Sequence, residues 1–273
     1  MADDSAPRSG FQSSLTVTFV GTATALLEVA GATFLTDPYF SPAGTQWDLG
    51  FLQLTSAYEP ALGLADLPPV DAVLLSHEDH PDNLDARSRP LLDGRRVLTT
   101  ADGAARLAPR PGVRGLRPWE KASLAAAGVV FDVLATPCLH VPGGECVGFV
   151  LSAPARFGST GGKPNAVYFS GDTVYLPELA RLRDDYHISA ALLNLGAATV
   201  QLPGAAEPLL VTMDGAQAAR LIRDIDPDVV VPMHFEAWNH FRQGREPLAA
   251  AFEAAGVADR VRWLEPGKPT RIL

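Results

Sequence analysis

The stretch "DAVLLSHEDHPDNLD", residues 71–85, decides how the rest of the chain is read. It opens with a near-continuous apolar run, the pattern of a strand buried on both faces. Its last ten residues carry two histidines, four acidic side chains, an asparagine and a proline. A buried strand that runs straight into clustered imidazoles and carboxylates is either a ligand loop for a metal ion or a polar turn before a helix. The rest of the chain has to decide between them.

Three later positions repeat the arrangement. His140 follows "VLATPCL", Asp172 ends "AVYFSGD", and His234 ends "DVVVPMH". Potential ligands thus stand just beyond four separate strand-like runs, and strand ends on one edge of an α/β architecture converge on a shared site. One histidine after a strand is usually structural; four polar residues at equivalent ends point to a common centre. Neutral imidazole and carboxylate suit Zn²⁺ and related ions. A water held by such an ion is acidified towards neutrality, and a carboxylate such as Asp172 can bridge two ions about 3.5–4 Å apart.

Around this centre the chain begins as a strand meander, "LTVTFV", "ALLEVA" and "ATFLTD", punctuated by Gly21 and Gly31. Residues 38–70 hold five prolines and scattered aromatics without a period, and so long a connection is more often functional than idle. Trp47, Phe51 and Tyr58 in it are candidates for a substrate-facing wall, or for pins that hold the loop to the core. Helix-like segments are expected at residues 84–92, 101–107, 176–185, 213–225 and 246–256, with "VRWLEPG" as a last strand. A meander followed by alternating strands and helices, in two similar halves, predicts two packed sheets flanked by helices. Residues 1–14 read as a disordered polar tail and 15–273 as one domain.

Composition narrows the function. The 273 residues are 47 % hydrophobic and 19 % charged, as in an ordinary globular protein. The formal net charge of −9 argues against a nucleic-acid partner and against anionic membrane surfaces. The tail lacks the apolar core of a secretory signal, and no apolar run reaches membrane-spanning length. Two cysteines fit a reducing compartment, so a cytoplasmic location is expected.

The order HxxHxDN, His140, "SGDT" and "PMH", with "GTATALLEVAGATFLTDP" before it, resembles the metallo-β-lactamase superfamily, in particular its lactonase-like and "beta-lactamase superfamily domain" branches. The resemblance spans about residues 15–265. It implies a four-layer αββα sandwich of two mixed sheets. It further implies that His77, His80 and His140 hold a first metal ion, that Asp172 bridges, that Asp82 and His234 complete a second position, and that Asp37 shapes the site from behind. The usual motif is HxHxDH. Here an extra residue separates the first two histidines, and Asn83 stands where the family has histidine. An ungapped alignment would place Asp79 at the second histidine position. Asn83 offers at most a carbonyl oxygen, so the second position is expected to be weaker, to favour a harder ion such as Mn²⁺, or to stay empty.

The expected activity is therefore metal-dependent hydrolysis of a small-molecule ester, lactone or amide by a water-derived hydroxide. Zn²⁺ is the expected ion, one or two per chain, with Asp82, Asp172 and His240 as catalytic residues. His240, in "HFEAWNHF", is a candidate general acid or a polar wall donor. A phosphodiesterase or phospholipase-D-like enzyme ranks second, since a phosphate substrate calls for Arg or Lys and only Arg87 and Arg89 flank the motifs. A metal-binding protein without turnover is the third reading. The partner is a small molecule; a homo-oligomer is left open. His187 is expected to be structural, Asp214 a helix N-cap, Cys138 a packing residue, and Glu78 and Asp79 loop charges.

Overall fold

A computed structural model describes residues 10–50 and 52–273. The meander forms β1 (Leu15–Gly21), β2 (Thr24–Val29) and β3 (Ala32–Thr36), and an outlying hairpin follows, β4 (Gln46–Asp48) and β5 (Gln53–Thr55). The apolar run of the ligand stretch is β6 (Ala72–Leu74); β7 (Arg96–Thr100), helix α1 (Ala101–Leu107) and β8 (Val113–Leu116) come next. These strands build a first sheet in which β1–β3 pair antiparallel and β3, β6, β7 and β8 pair parallel.

The second half supplies β9 (Lys121–Ala126), β10 (Val129–Pro137), β11 (Val147–Ser152), the short helix α2 (Pro154–Phe157), β12 (Ser159–Thr160) and β13 (Lys163–Phe169). It continues with α3 (Leu182–Asp185), β14 (His187–Asn194), a small arm of β15 (Thr199–Val200) and β16 (Leu209–Leu210), α4 (Gly215–Ile225), β17 (Val229–Met233) and α5 (Arg245–Ala254). The second sheet runs β17-β14-β13-β11-β10-β9. The last strand, β18 (Thr270–Arg271), crosses back and pairs with β1.

Strand periodicity sorts the side chains into layers. Ala72 and Leu74 of β6, with Ala190 and Leu192 of β14, enter the core between the sheets. Val73 of β6 faces an outer layer with Leu84, Leu92 and Leu107. Ala191 and Leu193 of β14 face another with Leu182, Ile222 and Phe252. Two mixed sheets, each with an outer helical layer, make the expected four-layer αββα sandwich.

Three local expectations differ. Residues 84–92 form turns and one 3₁₀ turn (Arg89–Leu92) rather than a helix. The Asp85 carboxylate accepts from the Phe40 and Ser88 amides and the Ser41 hydroxyl, and Pro90 offers no amide. Residues 176–185 begin as a 3₁₀ helix and only end as α3. "VRWLEPG" contributes a single bridge, Val261 to Val230, before the chain turns at Pro266–Gly267, and β18 supplies the pairing instead. Residues 1–9 of the expected tail lie outside the described residues. Residues 10–14 are anchored, with the Gln12 amide bonded to the Phe157 carbonyl and Phe11 stacked on Phe157. Among the described residues no helix is long and apolar enough to cross a membrane.

Candidate metal centre

Strands β10, β13, β14 and β17 run in one direction, because β10 and β13 are both antiparallel to β11 between them, and β13, β14 and β17 pair parallel. Their C-terminal ends therefore share an edge, where His140, Asp172, Asn194 and His234 stand. The loop after β6 reaches the same edge, tied by the Val147 amide to the Ser76 carbonyl at 3.0 Å. The His234 amide donates to Thr22 of the first sheet at 2.9 Å. Both sheets thus fix the same place.

Among the described residues two groups of side chains could hold metal ions: His77, His80 and His140, and Asp82, Asp172 and His234. In each, the ligand atoms lie within 4.8 Å of one another. His80 Nδ1 lies 3.1 Å from His77 Nε2 and 3.0 Å from His140 Nε2. The far nitrogens settle where the protons are. His80 Nε2 donates to the Pro142 carbonyl at 3.0 Å and His140 Nδ1 to the Val211 carbonyl at 2.7 Å. His77 Nδ1 donates to Ser76 Oγ at 2.8 Å, whose own proton goes to Asp37 Oδ2 at 2.6 Å. The three inward nitrogens are left with lone pairs facing one another, an arrangement that a cation satisfies. Backing of ligating imidazoles by acceptors is the usual second layer of a metal site. Burial, with the other two imidazoles, pushes His77 down to about 3, and burial likewise lowers His140. Both are neutral near pH 7, the form that binds a metal.

The second group is equally in need of a cation. Asp172 is fully buried; its Oδ1 accepts from Asn194 Nδ2 at 2.7 Å, and its Oδ2 has no partner. Both ring nitrogens of His234 lack hydrogen-bond partners, at 3.6 Å from Asp82 Oδ2 and 3.6 Å from Asp172 Oδ1. Burial opposes charge on His234, but Asp172 and Asp82 outweigh it and hold its pKa up at about 8. Burial also opposes ionisation of Asp82 and Asp172, yet the surrounding imidazoles hold both below the ordinary carboxylate value. Asp172 adjoins both groups, 4.0 Å from His140 Nε2 on its other side. His234 and Asp37 have left-handed backbone (φ 55° and 27°), uncommon outside glycine and concentrated at functional sites.

Asp37 sits behind the first group. Burial raises it to about 7 despite bonds from Ser76 Oγ and the Ser76 amide, and from Asn83 Nδ2 at 2.9 Å. Asn83 thus spends its amide nitrogen on Asp37, and its Oδ1 is buried without a partner. Asp79, the ungapped alternative, accepts from the Gly144 amide and pairs with Arg106, whereas His80 occupies the triad. Glu78 is buried and pairs with Arg89 and Arg106. His240 is buried beside the second group with Nδ1 unpartnered, and burial lowers it to about 4. His187 bonds Asp228 at 2.7 Å, and Asp214 caps α4 through the Gln217 amide. Cys138 Sγ packs on the Ser170 carbonyl.

Sequence reading did not single out Ser76, Asn194 or the wall residues. Ser76 and Asn194 looked like polar strand-end residues, with only their adjacency to ligand-bearing ends as a signal. Of the aromatics offered as a wall, Trp47 and Tyr58 join Tyr39 and Trp238 in a cluster that pins the loop, and Phe51 lies outside the described residues. Leu49, Leu52 and Leu54 line the cleft instead.

Two substitutions test this framework. Ser76→Ala removes the link between Asp37 and His77 and is expected to weaken metal affinity about 10–100-fold, read by competition with a chelating dye. Gly171 has φ +59°, and a Cβ there would lie 2.7 Å from the Val147 carbonyl oxygen and 2.9 Å from Ser76 Cβ. Gly171→Ala is expected to cost about 2 kcal/mol or more in urea unfolding.

A two-sheet sandwich with paired imidazole and carboxylate groups on one strand edge defines a metallohydrolase-type scaffold. The chain belongs to the beta-lactamase superfamily domain family, whose profile matches residues 32–235. It is 26 % identical over 251 residues to a metal-dependent hydrolase of Caldivirga maquilingensis, covering 91 % of this chain and 94 % of that one. Two solved structures share the fold. An isothiocyanate hydrolase from Delia radicum gut bacteria gives a TM-score of 0.73 at 21 % identity, over 93 % of this chain and 98 % of that one. A metallo hydrolase of Ignicoccus hospitalis gives 0.70 at 24 %, over 94 % and 98 %. Family, relative and ligand groups together make this a metal-dependent hydrolase of the superfamily.

Proposed function

We propose that the chain hydrolyses an ester, lactone or amide bond in an uncharged small molecule. His77, His80 and His140 would hold Zn²⁺, and Asp82, Asp172 and His234 a weaker second ion. When bound, such ions acidify a water and polarise the scissile carbonyl. The chain's own groups do the rest. Asp172 Oδ2 and Asp82 accept hydrogen bonds from the attacking water, Asn194 keeps Asp172 turned inward, and the neutral His240 donates an N–H hydrogen bond to the carbonyl or leaving-group oxygen. Asn83, engaged with Asp37, stands where an imidazole ligand would be, so the second group has one imidazole and two carboxylates against three imidazoles in the first, and its ion is the weaker and the more open to Mn²⁺.

The observation that carries the substrate class is the wall of the cleft above the two triads. Among the described residues it contains apolar side chains, Thr212, imidazoles and the Asp82 carboxylate, and no Lys or Arg. A phosphodiester would need such cations, and the nearby Arg89 and Arg106 are engaged with Glu78. The phosphodiesterase reading therefore ranks second. The test is metal content per chain, followed by a panel of lactones, nitrophenyl esters, anilides, a β-lactam and bis(p-nitrophenyl) phosphate. Turnover confined to carbonyl substrates is expected. Phosphodiester turnover alone would reverse the ranking, and a fully loaded protein inert to every member would leave a metal-binding protein without turnover.

A further inference from the structure

The cleft that opens over the two triads is walled on two sides by separate apolar elements. One is the β4–β5 hairpin, with Leu49, Leu52 and Leu54; the other is the β15–β16 arm and its flank, with Val200 and Val211. Val141, 40 % exposed, stands at the rim beside His140. The space between them is a narrow slot, about 30 Å³ in its closed part, that opens to solvent at its mouth.

Both walls are fixed to the chemistry. The Val211 carbonyl receives the His140 Nδ1 proton at 2.7 Å, so the arm's position is set by a member of the first triad. The hairpin is clamped by Asn239, whose side chain bonds the Thr55 amide and the Gln53 carbonyl, both at 3.0 Å, one residue before His240. Leu54 packs in the same cluster as Trp238. An apolar lining held in register with a polar floor recognises a molecule with the same division, one polar reactive end and one apolar group.

We infer that the substrate is a carboxylic-acid derivative with an apolar acyl chain of several carbons, and that Leu52 and Val200 set the preference for that chain. The inference rests on the carbonyl-hydrolase reading above and specifies its substrate. With the carbonyl carbon over the triads, the chain extends between hairpin and arm, where each buried methylene strengthens binding about fourfold.

The test uses zinc-loaded protein and two independent series. For p-nitrophenyl acetate, butyrate, hexanoate and octanoate, kcat/KM is expected to climb about fourfold per methylene until the slot is filled. Calorimetric binding of the corresponding carboxylates, which needs no turnover, is expected to tighten in the same order. Leu52→Asn and Val200→Asn should flatten both slopes. Val130→Asn, at a position 63 % exposed on β10, should leave both unchanged. Ester hydrolysis with a wild-type slope under about twofold across the series would overturn the inference and leave the hydrolase reading standing. Rising carboxylate affinity without hydrolysis of any ester would overturn the hydrolase reading, and with it the substrate, and leave only an apolar-chain slot set by Leu52 and Val200. A slope that survives both wall substitutions would remove Leu52 and Val200 from the role.

Discussion

Asp172→Ala is expected to abolish turnover, lowering kcat/KM by at least about 10³-fold, and to leave at most one tightly held metal ion per chain. The magnitude follows from losing several kcal/mol of charge stabilisation at the reacting centre. The position is the physical reason. Asp172 is fully buried, 4.0 Å from His140 in one ligand group and 3.6 Å from His234 in the other. Its second oxygen has no protein partner. Alanine therefore removes a carboxylate that adjoins both groups, while the first triad keeps its three imidazoles. Elemental analysis and steady-state kinetics on the best panel substrate read the two effects, with circular dichroism to show that the variant folds. A variant that kept two equivalents and wild-type turnover would sink the assignment of Asp172.

Metal removal is the second large effect. A ligand present at 1,000 times its dissociation constant stabilises the folded state by about 4.1 kcal/mol. At about 2.1 cal/mol/K of unfolding entropy per residue, each kcal/mol shifts the Tm of this 273-residue chain by roughly 2 °C. Treatment with a strong chelator is therefore expected to lower Tm by about 7 °C, and added Zn²⁺ to restore it. The site explains why the whole fold responds. Asp82 and Asp172 belong to different strand ends of the two sheets, and without a cation two buried carboxylates depend on the imidazoles around them alone. His77→Ala should show a much smaller chelator response than the parent protein. A parent protein with measured metal content and an unchanged Tm on chelation would show that the ions contribute nothing to the joining of the sheets.

Particular residues show how much of this was legible beforehand. His77, His140, Asp172 and His234 each follow an apolar run, so their shared edge could be inferred from order alone; the structure brings them together with His80 and Asp82. The gap between His77 and His80 needed three dimensions. Sequence register favoured His80 over Asp79, and in the fold His80 does turn inward while Asp79 is held by Gly144 and Arg106. Asn83 was readable as a departure from the family motif, but its bond to Asp37 joins residues 46 apart and has no local signature. The expected helix at residues 84–92 failed for the same kind of reason. Its apolar spacing is real, but the Asp85 side chain is committed to Phe40 and Ser41 across the loop.

By itself the sequence determined the sandwich class, the family and the side chains that can ligate a metal. Those depend on short-range alternation and on which residues end each strand, and both are properties of local order. Only the tertiary structure decided how the imidazole protons are arranged and which residues orient the ligands. It also decided that leucines and valines from two distant segments wall the cleft. Those features are contacts between segments brought together by packing of the two sheets, and no local pattern in the chain encodes which segments will meet.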